Sequence, residues 1–312
     1  MKYIGIDIGG TKCAISLGLV DESIIILDKI QFATANQPPF AILDKFSTFI
    51  DKHIQNNEIA GIGISCGGPL NSKLGIIQKP PSLPLWDNIE IVKYFEDKYK
   101  IKTYLQNDAN ACAVAEWKYG AGKGYKNIVF LTFGTGFGAG LILNDKLYVG
   151  ANDNAGEVGH IRLTSTGPIG YNKKGSVEGY CSGSGLKRLA FIMAKKEKNV
   201  PDVIKKYGNE LSAKVLAEYA NNGDKFALSV YKKCAKMLGV TLSGIIDFIN
   251  PEIIVLGGVF MRSEYLIMPH ARKVIDKETL PFANSACKIV GAGLKENIGD
   301  IAALVVAKGD YL

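Results

Sequence analysis

Nothing in these 312 residues supplies a Cys-x-x-Cys pair, a long run of like charge, or an apolar stretch of the roughly 18 residues that a membrane span requires. The six cysteines, Cys13, Cys66, Cys112, Cys181, Cys234 and Cys287, stand far apart, mostly among Ala, Gly, Val or Ile, as buried small hydrophobes do. A disulfide framework is not expected and a reducing cytoplasm fits. The chain opens Met1-Lys2-Tyr3-Ile4-Gly5 and enters a strand pattern at once, so neither a signal peptide nor a membrane partner is expected. Lys and Arg number 37 against 30 Asp and Glu, a net charge of +7, but the lysines come singly or in pairs with no basic arm. That excess reads as solvated surface suited to anionic ligands, and no nucleic-acid partner is expected. Histidines are scarce, at three; lone imidazoles are usually structural, and His53 and His270 are read that way. With 47% apolar and 21% charged residues, a disordered or low-complexity chain is excluded.

At about 150 residues per domain, the length suggests two domains. Tyr3 to Ile8 is an apolar run closed by Gly9-Gly10-Thr11, and Ala14 to Leu19 is another, so the spacing predicts a hairpin with a glycine-rich turn. The order returns as Ile128 to Phe133, Gly134-Thr135-Gly136, and Gly138 to Leu143, then a turn at Asn144-Asp145 and a strand through Val149. A duplication with a period near half the chain means two similar halves rather than a solenoid. Helical spacing covers Pro39 to Asn56, and a buried strand from Ile59 to Ser65 runs into Gly67-Gly68-Pro69. A helix follows at Ile89 to Tyr99, a strand at Lys102 to Leu105, and a helix of small residues at Asp108 to Tyr119. The second half carries helices at Ser184 to Lys195, Ser212 to Ala220 and Asp224 to Asp247, the strand Ile253 to Leu256 with Gly257-Gly258, and a closing helix at Gly299 to Lys308. Such alternation implies α/β layers with mostly parallel central strands, divided near Gly120 to Lys126.

Three turns, Gly9-Gly10-Thr11, Gly134-Thr135-Gly136 and Gly257-Gly258, close buried strands. Glycine lets backbone approach a ligand, and successive N–H groups in such turns make an anion-binding concavity, to which the Thr11 and Thr135 hydroxyls add donors. Tight hairpins also use glycine for positive φ, so one turn alone says little; three, two of them duplicated, say more. Asp7 lies in the apolar strand before the first turn. It is either a Mg²⁺-water ligand beside phosphates or a carboxylate accepting turn N–H groups. Asp108 opens the small-residue helix. It is either an N-cap or a base facing the crevice at a strand's C-terminal end. Gly156-Glu157-Val158-Gly159-His160, with Glu178 beyond it, places carboxylates and an imidazole in a loop, a set suited to a polyhydroxylated ligand.

Together these motifs resemble the ROK family, sugar kinases and sugar-responsive repressors on the actin-like ATPase fold. Asp7-Ile8-Gly9-Gly10-Thr11-Lys12 is similar to its first phosphate motif and Gln106-Asn107-Asp108-Ala109-Asn110-Ala111 to its catalytic motif. Leu131 to His160, with Gly134, Gly136, Gly138, Gly150 and Gly159-His160, is similar to the family signature, and Ile254-Val255-Leu256-Gly257-Gly258 to the adenosine-side motif. The match spans essentially the whole chain. It implies a two-domain, ribonuclease H-like α/β fold with duplicated βββαβα halves and an interdomain cleft. The smaller domain would be 1–119, with 299–312 packing back on it, and the larger 120–298. By the same resemblance, ATP and Mg²⁺ bind with Asp7, Gly9, Gly10, Thr11, Lys12, Gly134, Thr135, Gly136, Gly257 and Gly258. Asp108 is the general base, and Gly68, Asn107, Glu157, His160 and Glu178 contact the sugar. Glucose, N-acetylmannosamine, N-acetylglucosamine and fructose are all handled within the family, and a cytoplasmic homodimer through the larger domain is implied.

Departures from the family pattern carry expectations of their own. Most members hold a structural zinc with that histidine and a Cys-x-Cys-x4-Cys array; the matching positions here are Ile169, Tyr171 and Ser176. One histidine cannot make a four-ligand site, so zinc is not expected and the loop Thr164 to Val177 is expected to be held by packing, Tyr171 included. Gly67-Gly68 replaces the family's Pro-Gly, and Ser82 its usual Asn, both on the sugar side. Family regulators carry a DNA-binding segment ahead of the first phosphate motif, and six residues precede Asp7 here, so a sugar-sensing regulator is the disfavoured reading. An actin-like ATPase of structural or chaperone type would share the fold without reason to keep Glu157, His160 and Glu178.

Overall fold

A computed structural model describes residues 1–34 and 37–311. The chain divides into two units, one of Met1–Phe130, Gly140–Ala155 and Gly293–Leu312, the other of Leu131–Ala139 and Gly156–Ala292.

The first unit is built on β1 (Lys2–Ile8), β2 (Lys12–Val20), β3 (Ile24–Ala33), α1 (Pro39–Ile54), β4 (Ile59–Cys66), the short pair β5 (Leu70–Asn71) and β6 (Ile76–Ile77), α2 (Ile91–Tyr99), β7 (Thr103–Asn107) and α3 (Asp108–Tyr119). Its sheet runs β3-β2-β1-β4-β7, antiparallel across the first three strands and parallel from β1 through β4 to β7. Strands covered on both faces read as nearly continuous apolar runs, which is why Ile4, Ile6, Ile62 and Ile64 recur. These face α1, whose Ile42, Phe46, Phe49 and Ile50 are buried against them at helical spacing. The alternate residues meet the C-terminal helix Ile298–Lys308, with Tyr3, Leu304 and Ala307 in one small core.

Continuing in chain order come β8 (Ile128–Phe133), β9 (Phe137–Leu143) and β10 (Lys146–Tyr148), then the pair β11 (Ile169–Gly170) and β12 (Lys173–Lys174). The helices are α4 (Val177–Tyr180), α5 (Gly183–Ala194), α6 (Asp202–Tyr207), α7 (Ala213–Asn221) and α8 (Lys225–Ile249); β13 (Ile253–Leu256), α9 (Val259–Glu278), α10 (Pro281–Ala286), β14 (Lys288–Gly291) and α11 (Ile298–Lys308) follow. The sheet order β10-β9-β8-β13-β14 repeats the plan of the first, a hairpin of antiparallel strands and then strands reached by helical crossovers. Asp224 caps α8 by accepting from Ala227 N at 2.7 Å, and Asn250 ends it in the left-handed region.

Several elements were not anticipated: the short strands β5, β6, β11 and β12, the short helices α4, α6 and α10, and also β3, α9 and β14. β3 is an edge strand that is half-buried at Ile24 and Ile26 but exposes Ile25 and Leu27 on its other face, so its apolar run Ile24 to Leu27 hides the alternation in sequence. α9 carries Pro269 and a non-helical Ser263, both of which break a helical reading. β14 has only four residues.

Candidate active site

In the first unit, strand register builds the site. Ile8 of β1 pairs with Cys66 of β4, and Cys66 pairs with Asn107 of β7, so three parallel strands end level. Beyond those ends lie the Gly9-Gly10-Thr11 turn, the Gly67-Gly68 loop and Asp108, where ligands of open α/β sheets bind. The turn is closed by Gly9 N donating to Lys12 O at 3.0 Å and braced by Thr34 Oγ1 donating to Gly9 O at 2.7 Å. Gly10 has no room for a side chain, since a Cβ would stand 2.5 Å from Ser82 Cβ. Ser82 therefore packs on this turn.

The cap of α3 is Asn107, not Asp108. Its side chain accepts from Ala109 N at 3.0 Å and Asn110 N at 3.3 Å. Asp108 lies one residue further in, with Oδ1 accepting from Ala109 N at 2.8 Å. Its Oδ2 points toward the Gly67-Gly68 loop, 3.9 Å from where a Gly67 Cβ would be, while a Gly68 Cβ would stand 3.4 Å from Asn107 Nδ2. Asp108 has solvent access but is crowded by protein, and that desolvation pushes its carboxyl above the ordinary aspartate range against the pull of the Ala109 N–H. A carboxylate raised in this way is more basic than a solvated one, which is what accepting a proton requires.

Asp7 is pushed up from 3.8 to about 7, first by burial, then by Asp108 and Asp300, with Lys12 and Lys29 pulling the other way. Asp300 is itself held by Lys29 at 2.5 Å. A native carboxyl that titrates above its unfolded value contributes most below pH 3.8 and loses that contribution as pH rises through about 7. At about 1.4 kcal/mol per unit the ceiling is about 4 kcal/mol, lowered by solvent reaching a half-buried group. Asp7→Asn is therefore expected to be more stable than the unchanged chain by roughly 1–3 kcal/mol at pH 8 in EDTA. Urea unfolding should show the gap closing toward pH 4, and a gap independent of pH would contradict it.

In the second unit, Gly156 and Gly159 let their loop lie on β9. Cβ atoms there would come within 2.1 Å of Ala139 O and 1.9 Å of Phe137 O. The loop presents an exposed Glu157 and, on the 3₁₀ turn Val158–His160, a half-buried His160. A Gly159 Cβ would also stand 3.5 Å from Glu178 Cβ, so Glu178 belongs to the same cluster. Oε2 of Glu178 accepts from Phe137 N at 3.2 Å, just after the Gly134-Thr135-Gly136 turn. That turn is closed by Gly134 N donating to Gly136 O at 3.0 Å. Gly258 lies against it with φ +68, where a Cβ would be 2.2 Å from Phe133 O. Glycine is thus required there both by backbone conformation and by close approach.

The loop Thr164 to Val177, expected to be held by packing, is held largely by hydrogen bonds. Ser176 Oγ accepts from Gly179 N and donates to Gly170 O, each at 3.2 Å. Thr164 Oγ1 meets Tyr180 OH at 2.9 Å, and Lys173 Nζ donates to His160 O at 2.8 Å. The Tyr171 ring stands edge-on to His160 at 5.4 Å, and His160 Nδ1 is buried without a hydrogen-bond partner. Among the described residues no group of three or more His, Cys, Asp or Glu could hold a metal ion. The residues present do not fit a structural zinc, because Ser176 is engaged as a helix cap and Ile169 and Tyr171 offer no thiolate. Mg²⁺ is a different case: a hard ion that takes one or two carboxylates plus phosphate oxygens suits Asp7.

Each unit therefore groups its own share of the anticipated residues: Asp7, Gly9 to Lys12, Gly68, Asn107 and Asp108 in the first, and Gly134 to Gly136, Glu157, His160, Glu178, Gly257 and Gly258 in the second. His53, by contrast, pairs with Asp28 at 2.9 Å. Sequence reading missed Thr34 and the Ser182-Gly183 junction. Gly183 N donates to Gly134 O at 2.8 Å, and a Gly183 Cβ would stand 3.2 Å from that oxygen. The Ser-Gly-Ser-Gly run from 182 to 185, a capped helix start rich in glycine, was the available signal.

With this geometry in view, the comparisons agree. The ROK family profile matches residues 3–310. A glucokinase of Thermotoga maritima is 30% identical over 99% of this chain and 98% of its own length. A xylose repressor of Bacillus spizizenii is 28% identical over 94% of this chain and 73% of its own length. A ROK family glucokinase from Streptomyces griseus, solved with glucose and AMPPNP, superposes with a TM-score of 0.81 at 26% identity, covering 99% of this chain and all of its own. The chain belongs to the ROK family.

Proposed function

We propose that this chain is an ATP-dependent sugar kinase, moving the γ-phosphoryl group of ATP to a hydroxyl of a hexose or N-acetylhexosamine. The observation that carries the reading is Asp108: its neighbour Asn107 takes the helix cap, and this leaves a raised carboxylate with Oδ2 turned toward the Gly67-Gly68 loop. In the reaction the sugar oxygen attacks the γ-phosphorus, its proton passes to Asp108, and the bond from the γ-phosphorus to the β,γ-bridging oxygen breaks to leave ADP. Asn107, Gly68, Glu157, His160 and Glu178 orient the sugar through directional hydrogen bonds, which supplies much of the rate by positioning. The turns at Gly9 to Lys12, Gly134 to Gly136 and Gly257-Gly258 present backbone N–H groups to the nucleotide. Asp7 is the residue that would hold Mg²⁺ through water, and the ion when bound neutralises phosphate charge.

A homodimer through the domain spanning 120–298 belongs to the same reading. Phe248 and Phe282 there are 88% and 92% exposed, which a second copy would cover. The xylose-repressor relative supports a second reading, a sugar sensor without turnover. An ATP-coupled assay over about a dozen hexoses and N-acetylhexosamines separates the two. Turnover with at least one sugar is expected, and sugar binding with no turnover would favour the sensor. Elemental analysis of the same preparation is expected to show no stoichiometric zinc, and one zinc per chain would overturn the account of the 164–177 loop.

A further inference from the structure

The carboxylate that the proposed function gives to the sugar also holds the backbone of a glycine turn. α4 is four residues long and is fixed from several sides. Ser176 Oγ caps it through Gly179 N, and Ser182 Oγ donates to Glu178 O at 2.7 Å. Gly170 and Gly185 lie directly on its backbone, where Cβ atoms would stand 2.4 Å from Gly179 N and 2.5 Å from Glu178 O. The Cα of Glu178 thus has little play. From there Oε2 reaches Phe137 N at 3.2 Å. A Cβ on Gly136 would come within 2.7 Å of the same oxygen, so the turn needs glycine at that place for the carboxylate to approach. The second tie comes from the next residues of the same segment, Gly183 N donating to Gly134 O at 2.8 Å. Both ends of the Gly134–Phe137 turn are therefore set by the α4–α5 junction.

We propose that Glu178 is a positioning residue for this turn as well as a sugar ligand, and that its two carboxylate oxygens couple sugar binding to nucleotide binding. Oε2 holds the Phe137 N–H; the other oxygen meets an acceptor hydroxyl. This rests on the reading of the turn as a phosphate binder and of Glu178 as a sugar ligand. A hydroxyl on Oε1 fixes the rotamer that keeps Oε2 on Phe137 N. A turn already held in shape loses less freedom when phosphate docks, so sugar and nucleotide each strengthen the other by the same factor.

Titration of AMPPNP with Mg²⁺ into the full chain tests this, without sugar and with the sugar that supports turnover. The unchanged chain is expected to bind AMPPNP about 5–10-fold more tightly with sugar present. Glu178→Ala is expected to lose that enhancement and, without sugar, to bind AMPPNP about tenfold more weakly. Glu178→Gln keeps an oxygen for Phe137 N and should bind AMPPNP within about threefold of the unchanged chain. A further readout needs no variant: amide exchange at Phe137 should slow when sugar is added alone. Unaltered sugar-free AMPPNP affinity in Glu178→Ala, or Phe137 exchange indifferent to sugar, overturns the coupling while leaving the kinase reading in place. An unchanged chain that binds neither AMPPNP nor any sugar overturns that reading itself.

Discussion

Asp108→Asn is expected to lower phosphoryl transfer by about 10²–10⁴-fold while sugar affinity changes little, the size of effect that loss of a general base produces. The substitution is nearly isosteric. An amide oxygen can still accept from Ala109 N, as Oδ1 does at 2.8 Å, and the Asn107 cap is untouched, so α3 keeps its start. What disappears is the atom able to take up a proton. The loss should therefore fall on kcat, with sugar binding by calorimetry close to that of the unchanged chain. Desolvation by the crowding protein raises the Asp108 carboxyl above the ordinary aspartate range, so the acid limb of kcat/KM should lie at higher pH than a solvated aspartate would give. Near-normal turnover in the variant would remove Asp108 from its assigned role. This outcome is independent of the Glu178 titrations, which read binding alone.

How much of this was legible beforehand differs by element and for physical reasons. Parallel strands covered on both faces announce themselves as apolar runs closed by glycine turns; β1, β4, β8 and β13 were all readable in this way. The relation of those strand ends to one another was not, because no local pattern encodes that Ile8, Cys66 and Asn107 stand level. The choice between cap and base at Asp108 was open for a similar reason. Asn and Asp are nearly equal caps, and only the coordinates show that Asn107 holds the N–H groups. Glu116 drew no notice inside a helix of small residues. It is fully buried and its carboxylate accepts from Ala121 N, Gly293 N and Leu294 N at 2.7, 3.0 and 2.9 Å, joining segments far apart in the chain. Edge strand β3 escaped notice because Ile25 and Leu27 make its exposed face apolar too, and the proline-bearing α9 because its helical pattern is broken.

Gly63→Ala is expected to cost the chain at least about 3 kcal/mol, or to prevent folding, although one methyl group is all that is added. The reason lies in how closely α11 rests on the first sheet. A Cβ at Gly63 would stand 2.1 Å from Ala303 O, 2.2 Å from Ala307 N and 2.8 Å from Ala307 Cα, all backbone atoms that no rotamer change can move. Relief requires lifting the helix by more than about 1 Å, since apolar contacts sit near 3.5–4.0 Å. Yet its Ala302, Ala303, Leu304, Val305 and Val306 are fully buried, and Gly5 and Gly61 make further close seats, where Cβ atoms would stand 2.8 Å from Leu304 N and 2.4 Å from Ala307 O. Lifting α11 would break those contacts together, which is why the effect should exceed the usual overpacking range. Against a total stability of about 5–15 kcal/mol, such a loss is readily measured by urea unfolding. Gly244→Ala is the matched control, on the exposed side of α8 with nothing within 4 Å of the added carbon. There the better helix propensity of alanine should stabilise by about 0.5–1 kcal/mol. A Gly63→Ala chain as stable as the unchanged one would mean that α11 does not sit on β4 as described, and with it would go the packing that sets the level strand ends behind Asp108.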